Sequence, residues 1–312
     1  MADKIAHNCG ITLLRLMKPL EYYADKYGSW TWGLQKLFLT TTKQINRGQD
    51  ASGIGGLKLN TDQGERYLFR YRSTQANALM DIFSRIMKNI SSIGKNNKEQ
   101  SQDINWCKKN INSACEIYIS HLAYRHTSTA MTIEQTEPTL FASDYKVKNT
   151  MVAGNYGIVN IEELVQFLSG KGFHLKSTDA LHIVNKVFSY YIDYEYNEQL
   201  KRFRLESLNE NEIADSISNN FNVEKVLLNV QNKIEGGYIL TGFFGNGDSF
   251  VMRDPQGIRT AYYAHSDDFF VSASERSAIQ SAFNLPYDDI FEIDPGSILI
   301  IDKNGNVKRS KP

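Results

Sequence analysis

The chain is 312 residues long, which suits one large domain or two smaller ones, and its 35 Lys+Arg balance 35 Asp+Glu. That zero balance removes the electrostatic case for nucleic acid or an anionic membrane as partner, and 41% hydrophobic with 22% charged residues excludes wholesale disorder. No apolar run reaches the roughly 18 residues of a membrane-spanning helix, residues 1–8 carry no apolar signal core, and Cys9, Cys107 and Cys115 form no disulfide framework, so a reducing cytoplasm is the simplest setting.

Ile11 to Leu16 reads as a buried strand, and 20–46 carries a broken helical period. The Gly-rich stretch Arg47-Gly48-Gln49-Asp50-Ala51-Ser52-Gly53 leads into a strand over 54–59, and 67–72 is another. Leu79, Ile82, Phe83, Ile86, Met87 and Ile90 repeat at helical spacing. Residues 91–113 are the polar low point, where order is doubtful. Strands are expected at 115–123 and 146–152. Asn160 with Glu163 has the pattern of a capping box opening a helix to about Leu168. A long helix follows over 178–194, and 197–235 is charged and helical.

After Gly236 the texture changes to short strands at 238–244, 249–253, 261–264, 269–272 and 298–302. Gly245-Asn246-Gly247-Asp248 and Lys303-Asn304-Gly305-Asn306 read as hairpin turns, and 274–283 as a short helix. Strands and helices come in blocks, which favours an α+β layered arrangement over a doubly wound parallel sheet.

Chemistry-bearing candidates are few. Cys107 and Cys115 form no CxxC pair and the six histidines no HExxH, so neither metal nor cofactor is expected. Cys9 alone reads as a small buried hydrophobe, Asn155 as a turn residue, Asp179 as a helix-start carboxylate and Arg47 as a solvated loop arginine. Arg253-Asp254-Pro255-Gln256-Gly257-Ile258-Arg259 reads as a structural turn at a strand end, with Asp254 and Arg259 organising the core edge, and Glu275 as a feature of the same kind.

Their order changes the reading. Cys9-Gly10-Ile11, Arg47-Gly48-Gln49-Asp50, His121-Leu122-Ala123-Tyr124, Gly154-Asn155-Tyr156-Gly157, Ser177-Thr178-Asp179, Gly236-Gly237-Tyr238, the Arg253–Arg259 motif, Ala273-Ser274-Glu275 and Pro295-Gly296 follow one another from Cys9 to about Arg309. As a set they resemble the class II glutamine amidotransferases, which are N-terminal-nucleophile (Ntn) hydrolases. The Arg-Gly-Gln-Asp form points to the glutamine phosphoribosylpyrophosphate amidotransferase branch of purine synthesis.

The resemblance implies a four-layer α/β/β/α sandwich of two antiparallel sheets over 9–312, with residues 1–8 a propeptide cleaved at Asn8–Cys9. It implies hydrolysis of L-glutamine to glutamate and ammonia through a Cys9 thioester, the freed α-amine moving the proton. An α-amine titrates at about 8 and serves as a base where a peptide nitrogen cannot. Asn155 and the backbone N–H of Tyr156 would form the oxyanion hole, Arg47 would stand beside the nucleophile, and Asp179 would hold the substrate α-ammonium.

Four positions depart from the family pattern, one of them Thr260, where the family usually has Pro after the last Arg of the 253–259 motif. Gly-His-x-Arg-Tyr is here Ser120-His121-Leu122-Ala123-Tyr124, so the arginine that clamps the α-carboxylate is Ala123. Arg125 lies two residues on and would share that face of an extended strand. The oxyanion-hole Asn155 is followed by Tyr156 rather than Gly. These departures motivate the alternative of a non-catalytic interaction or regulatory domain. A third reading is another acceptor branch, such as amino-sugar or asparagine synthesis. The phosphoribosyltransferase half implied by the resemblance is absent up to Pro312, so the ammonia acceptor would be a separate or missing domain. A homo-oligomer is compatible with the sequence.

Overall fold

A computed structural model describes residues 9–124, 131–205 and 209–311. In chain order the strands and helices begin with β1 (Gly10–Leu16), α1 (Leu20–Tyr27), α2 (Trp32–Thr42), β2 (Ala51–Leu57), β3 (Leu68–Ser73), α3 (Ala78–Asn96), α4 (Ile104–Asn110) and β4 (Ile117–Ala123). They continue with β5 (Thr139–Phe141), β6 (Thr150–Ile158), α5 (Ile161–Gly170), α6 (Ala180–Leu205), α7 (Glu210–Asn220), α8 (Val223–Gln231), β7 (Gly236–Phe244) and β8 (Ser249–Arg253). The last are β9 (Tyr262–His265), β10 (Phe269–Ala273), α9 (Arg276–Phe283), β11 (Phe291–Glu292), β12 (Ile298–Ile301) and β13 (Val307–Ser310). Two antiparallel sheets and nine α-helices among the described residues make the α+β class expected from the block pattern.

Two compact units result. The first holds the chain through Pro138, residues 153–155 of β6, and 260–293. Its seven strands run in the order β11-β9-β10-β1-β4-β2-β3. Sequence alternation splits the faces of this sheet. Leu14, Ile54, Tyr118, Leu122 and Val271 bury against Leu37 of α2, Ile82 and Ile86 of α3 and Ile279 of α9. α3 is amphipathic at 3–4 residue spacing: Leu79, Ile82, Phe83 and Ile86 are buried while Met80 and Met87 stay exposed. α1 stops at Gly28, whose φ of 78° only glycine adopts cheaply and whose N–H closes on Ala24 O at 2.9 Å.

The second unit holds 139–152, 156–259 and 294–312, with its six strands in the order β13-β12-β8-β7-β6-β5. Phe188 of α6 and Leu227 of α8 pack on Tyr238, Leu240, Phe250 and Ile298 of this sheet. Its two hairpin turns are as expected: Gly247 (φ 102°) and Gly305 (φ 89°) turn the chain, and Phe244 N–H and Asp302 N–H close onto Asp248 O and Asn306 O at 2.8 and 3.0 Å. The Arg253–Arg259 motif is structural, as read. Asp254 is fully buried and its carboxylate accepts from the N–H of Tyr238 (3.2 Å), Ile258 (2.9 Å) and Arg259 (3.0 Å). The buried Arg253 guanidinium donates to Arg259 O at 2.6 Å and Gly257 O at 2.9 Å.

Several expectations fail for physical reasons. Residues 91–113 are ordered into the end of α3 and into α4, because Cys107 and Ile111 are buried at 1% exposure each and Asp103 caps α4 by accepting from Asn105 N–H at 2.9 Å. Asn160 holds the N-cap position of α5, as expected, but its side chain makes no cap bond. Its amide instead crosslinks the loop before β7, donating to Lys233 O at 2.9 Å and accepting from Glu235 N–H at 3.0 Å. The capping box is at Asn209 and Glu212, opening α7. β6 runs through Gly154-Asn155-Tyr156-Gly157, which is strand and not turn. A Cβ on Gly236 would lie 2.1 Å from Gly157 O, so glycine here serves close strand approach. Among the described residues, no helix is long and apolar enough to cross a membrane.

Candidate active site around Cys9

Cys9 immediately precedes β1, the strand paired with both β10 and β4. Buried polar bonds fix this strand end. Ile11 N–H donates to Ser274 Oγ at 3.1 Å, Ser274 N–H donates to Gln44 Oε1 at 2.9 Å, and Gln44 Nε2 donates to Thr12 Oγ1 at 2.9 Å. Gln44, fully buried, is a residue the sequence offered no reason to single out.

Arg47 leaves a 3-10 turn to reach the site. Its Nε donates to Cys9 O at 3.3 Å, and its terminal nitrogen pairs with Glu275 at 3.3 Å. Gly48 follows because a Cβ there would lie 2.6 Å from the Ala123 carbonyl carbon. The Arg-Gly of the motif therefore couples a side chain aimed at the nucleophile to a backbone pressed on β4. Glu275, expected to be structural, is what holds Arg47.

In β4, Tyr118 and Leu122 join the helix-side core, so His121 and Ala123 face the other way. Ile11 pairs with His121 and Gly10 with Leu122, which puts Cys9 opposite Ala123 when the register is continued. His121 is buried, and its Nε2 lies 3.2 Å from Gly154 O and 3.3 Å from Glu137 Oε2. Both neighbours are acceptors, so Nε2 carries the proton. Nδ1 is buried with no partner among the described residues. Burial lowers the imidazole pKa from its ordinary 6.5 to about 4, so the ring is neutral.

Glu137 is the group that sequence reasoning missed. It is 5% exposed, in a segment lying across β2. A Cβ on Gly53 would fall 2.0 Å from Glu137 O. Arg70 and Arg72 of β3 grip that segment, donating to Pro138 O at 3.3 Å and to Thr136 O at 3.1 Å. The only trace in the sequence is the glycine spacing of β2, which announces a close backbone approach without saying what approaches.

The Cys9 thiol is pushed up to about 11, by burial first and by the Glu137 carboxylate second among the raising effects. The Tyr124 backbone N–H and the Arg47 cation act the other way and are outweighed. At neutral pH the sulfur is a thiol, and its attack on a carbonyl requires a base.

The expected site residues fall as follows. Cys9, Arg47 and Asn155 lie in the first unit, where Gly154, next to the buried Asn155, meets His121. Tyr156 and Asp179 belong to the second unit. Tyr156 is half-buried against that unit's core. Asp179 caps α6, accepting from His182 N–H at 2.9 Å, the helix-start role that its position allowed. Arg125 and the 1–8 segment lie outside the described residues. Cys107 and Cys115 are buried free thiols, and the described residues contain no cluster of three or more His, Cys, Asp or Glu placed to hold a metal.

No protein-family model matches the chain, and no curated protein matches it. Solved structures do. Glutamine phosphoribosylpyrophosphate amidotransferase from B. subtilis, complexed with ADP and GMP, superposes with a TM-score of 0.57 at 18% identity, over 97% of this chain and 49% of its own. A structure described as the allosteric regulatory enzyme of purine biosynthesis gives 0.58 at 18%, over 97% and 49%. The chain thus spans about half the length of the structures it matches. At this identity the likeness shows the fold alone, an α+β arrangement with two antiparallel sheets.

Proposed function

We propose that this chain is a glutamine-hydrolysing domain with Cys9 as nucleophile. The observation that carries the reading is the placement of Cys9 at the mouth of β1, with Arg47 bound to its carbonyl and braced by Glu275. The sulfur attacks the side-chain amide carbon of L-glutamine, ammonia leaves, and water releases glutamate from the thioester. The Asn155 amide and the Tyr156 backbone N–H donate to the developing oxyanion. Arg47 and Arg125 receive the substrate α-carboxylate and Asp179 its α-ammonium. Removal of residues 1–8 frees the Cys9 amine, which then moves the proton between thiol and leaving nitrogen. The ammonia would pass to a phosphoribosyltransferase partner or domain of cytoplasmic purine nucleotide synthesis.

One observation favours a second reading, a non-catalytic domain on the same fold. Ala123, where the resemblance implies a clamping arginine, is 1% exposed with the Gly48 backbone against it. Loss of a charged hydrogen bond to the α-carboxylate costs about 1.5–3 kcal/mol, or roughly 10- to 150-fold in affinity.

Intact mass and glutamine turnover, before and after a glutamine-mimicking diazo-ketone, decide between the two. A chain starting at Cys9, taking one adduct and losing turnover in Cys9→Ala, supports the glutaminase. A chain still starting at Met1 or Ala2, without adduct or turnover, rejects it.

A further inference from the structure

α3 carries a second apolar surface beside the stripe that faces the core. Between α2 and α3, within the first unit, runs a groove of about 260 Å³ whose exposed walls are apolar. Its floor is rigid: Phe38 of α2 meets Phe83 of α3 edge to face at 4.7 Å, and Leu34 beside them is buried. Its rim is soft. Met80 and Met87 of α3 stand 54% and 49% exposed, two unbranched side chains that repack around whatever they meet. Leu79, Ile82 and Ile86 already supply the core face of α3, so the fold does not need the methionines.

At Ser84 and Met87 the groove opens into a polar depression of about 510 Å³ along the same helix, lined further by Lys88, Ser91 and Lys95. Positions 84, 88, 91 and 95 follow one another at three or four residues and form one stripe of α3. Among the described residues, no carboxylate lines the groove or the depression. Lys88 and Lys95 are exposed, and neither has a hydrogen bond or ion pair among the described residues. Asp81, the one carboxylate of α3, is turned to Ser73 Oγ at 2.6 Å and paired with Arg85. The surface therefore joins an apolar trough to two unpaired cations.

We propose that this groove docks an acidic amphipathic helix of a partner protein. From Met80 to Lys95 the stripe is about 22 Å long, the length of a four-turn helix. Apolar side chains of the partner enter between Leu34, Phe38 and the two methionines, and its carboxylates meet Lys88 and Lys95. Other occupants fit less well. A second copy paired about a twofold axis sets this patch against itself, lysine against lysine. A bilayer receives protruding apolar side chains, whereas this surface is concave. A single-chain amphiphile would keep much of its chain in water, because the groove is open and smaller than the roughly 300 Å³ of an ordinary small-molecule pocket.

The test uses the full chain and a fluorescein-labelled peptide of about 16 residues, with Leu at helical spacing on one face and Glu along its flanks. A twin peptide carries Lys for every Glu. Fluorescence anisotropy should give the Glu peptide a dissociation constant on the order of 10 μM, about 10-fold or more below that of the twin. Reversing both cations, Lys88→Glu with Lys95→Glu, should weaken the Glu peptide about 10-fold and strengthen the twin, an exchange that a merely structural role would not produce. Met80→Ser with Met87→Ser should weaken both peptides about 5-fold or more, through the lost anchors. All four side chains are exposed, and thermal unfolding checks that the variants keep their fold. Absence of binding at about 1 mM, or equal binding of the two peptides, overturns the proposal. So does a dimer in sedimentation that the serine variant dissociates, which makes this face a self-interface. Retention of the chain on phosphatidylserine vesicles, abolished by the same variant, overturns it as well.

Discussion

Acid should weaken the first unit through His121 by an amount that can be calculated. The ring is buried and its pKa falls from 6.5 to about 4 in the folded chain. An unfolded chain binds the proton as pH drops through 6.5, and the folded chain does not until about 4. Stability from this group is therefore complete above pH 6.5 and is lost progressively down to about pH 4. A window of 2.5 units corresponds to about 3 kcal/mol. The opposing possibility is an imidazolium paired with Glu137, which would raise the folded pKa and make acid stabilising. The geometry argues against it: a charged ring has two N–H groups, and Nδ1 has no acceptor among the described residues. Trp30, Trp32 and Trp106, the only tryptophans, all lie in the first unit, so their fluorescence follows its unfolding. Urea unfolding of wild type and His121→Asn between pH 7 and pH 4 should show wild type losing about 3 kcal/mol more than the variant. Parallel pH curves, or a wild type that gains stability on acidification relative to the variant, refute the neutral buried imidazole.

Two further substitutions separate architecture from chemistry. Asp254→Ala should cost about 4 kcal/mol, because a buried carboxylate accepting three backbone N–H groups is lost and the Tyr238 N–H is left buried without it; calorimetry showing a loss under about 1.5 kcal/mol would contradict that accounting. Asp179→Ala should cost about 1 kcal/mol of stability through the lost α6 cap, and, if the carboxylate also holds the substrate α-ammonium, raise KM roughly 10- to 150-fold. A stability loss with unchanged KM assigns Asp179 to the cap alone.

The layout of elements was largely legible because most strands are short, buried runs bounded by turn residues and α3 carries a helical stripe. What escaped the sequence depended on partners distant in the chain. Residues 91–113 look too polar to order, yet the buried Cys107, Ile111 and Ser113 anchor the end of that stretch. Asn160 and Glu163 have the spacing of a capping box, but the Lys233 carbonyl and the Glu235 N–H claim the asparagine side chain. Gly154-Asn155-Tyr156-Gly157 has turn composition, yet it lies within β6, and Gly236 approaches the Gly157 carbonyl closely.

The site shows the same division. Of the residues that the motifs singled out, the structure brings Arg47 to the Cys9 carbonyl and braces it on Glu275, itself part of a motif. Glu137 escaped because nothing beside it in sequence explains it. Its place is set by Gly53 of β2 and the arginines of β3, some 65 to 84 residues away. The consequence concerns charge. Where the resemblance implies an arginine at the carboxylate clamp, the chain has Ala123, and the nearby buried face carries a carboxylate. Arg47 is already engaged with Glu275 and the Cys9 carbonyl. Among the described residues it is the one cation acting on the Cys9 thiol. If the proposed glutaminase reading holds, a substrate α-carboxylate either competes with Glu275 for Arg47 or is met by Arg125, and a KM comparison of Arg47→Gln and Arg125→Gln tells which.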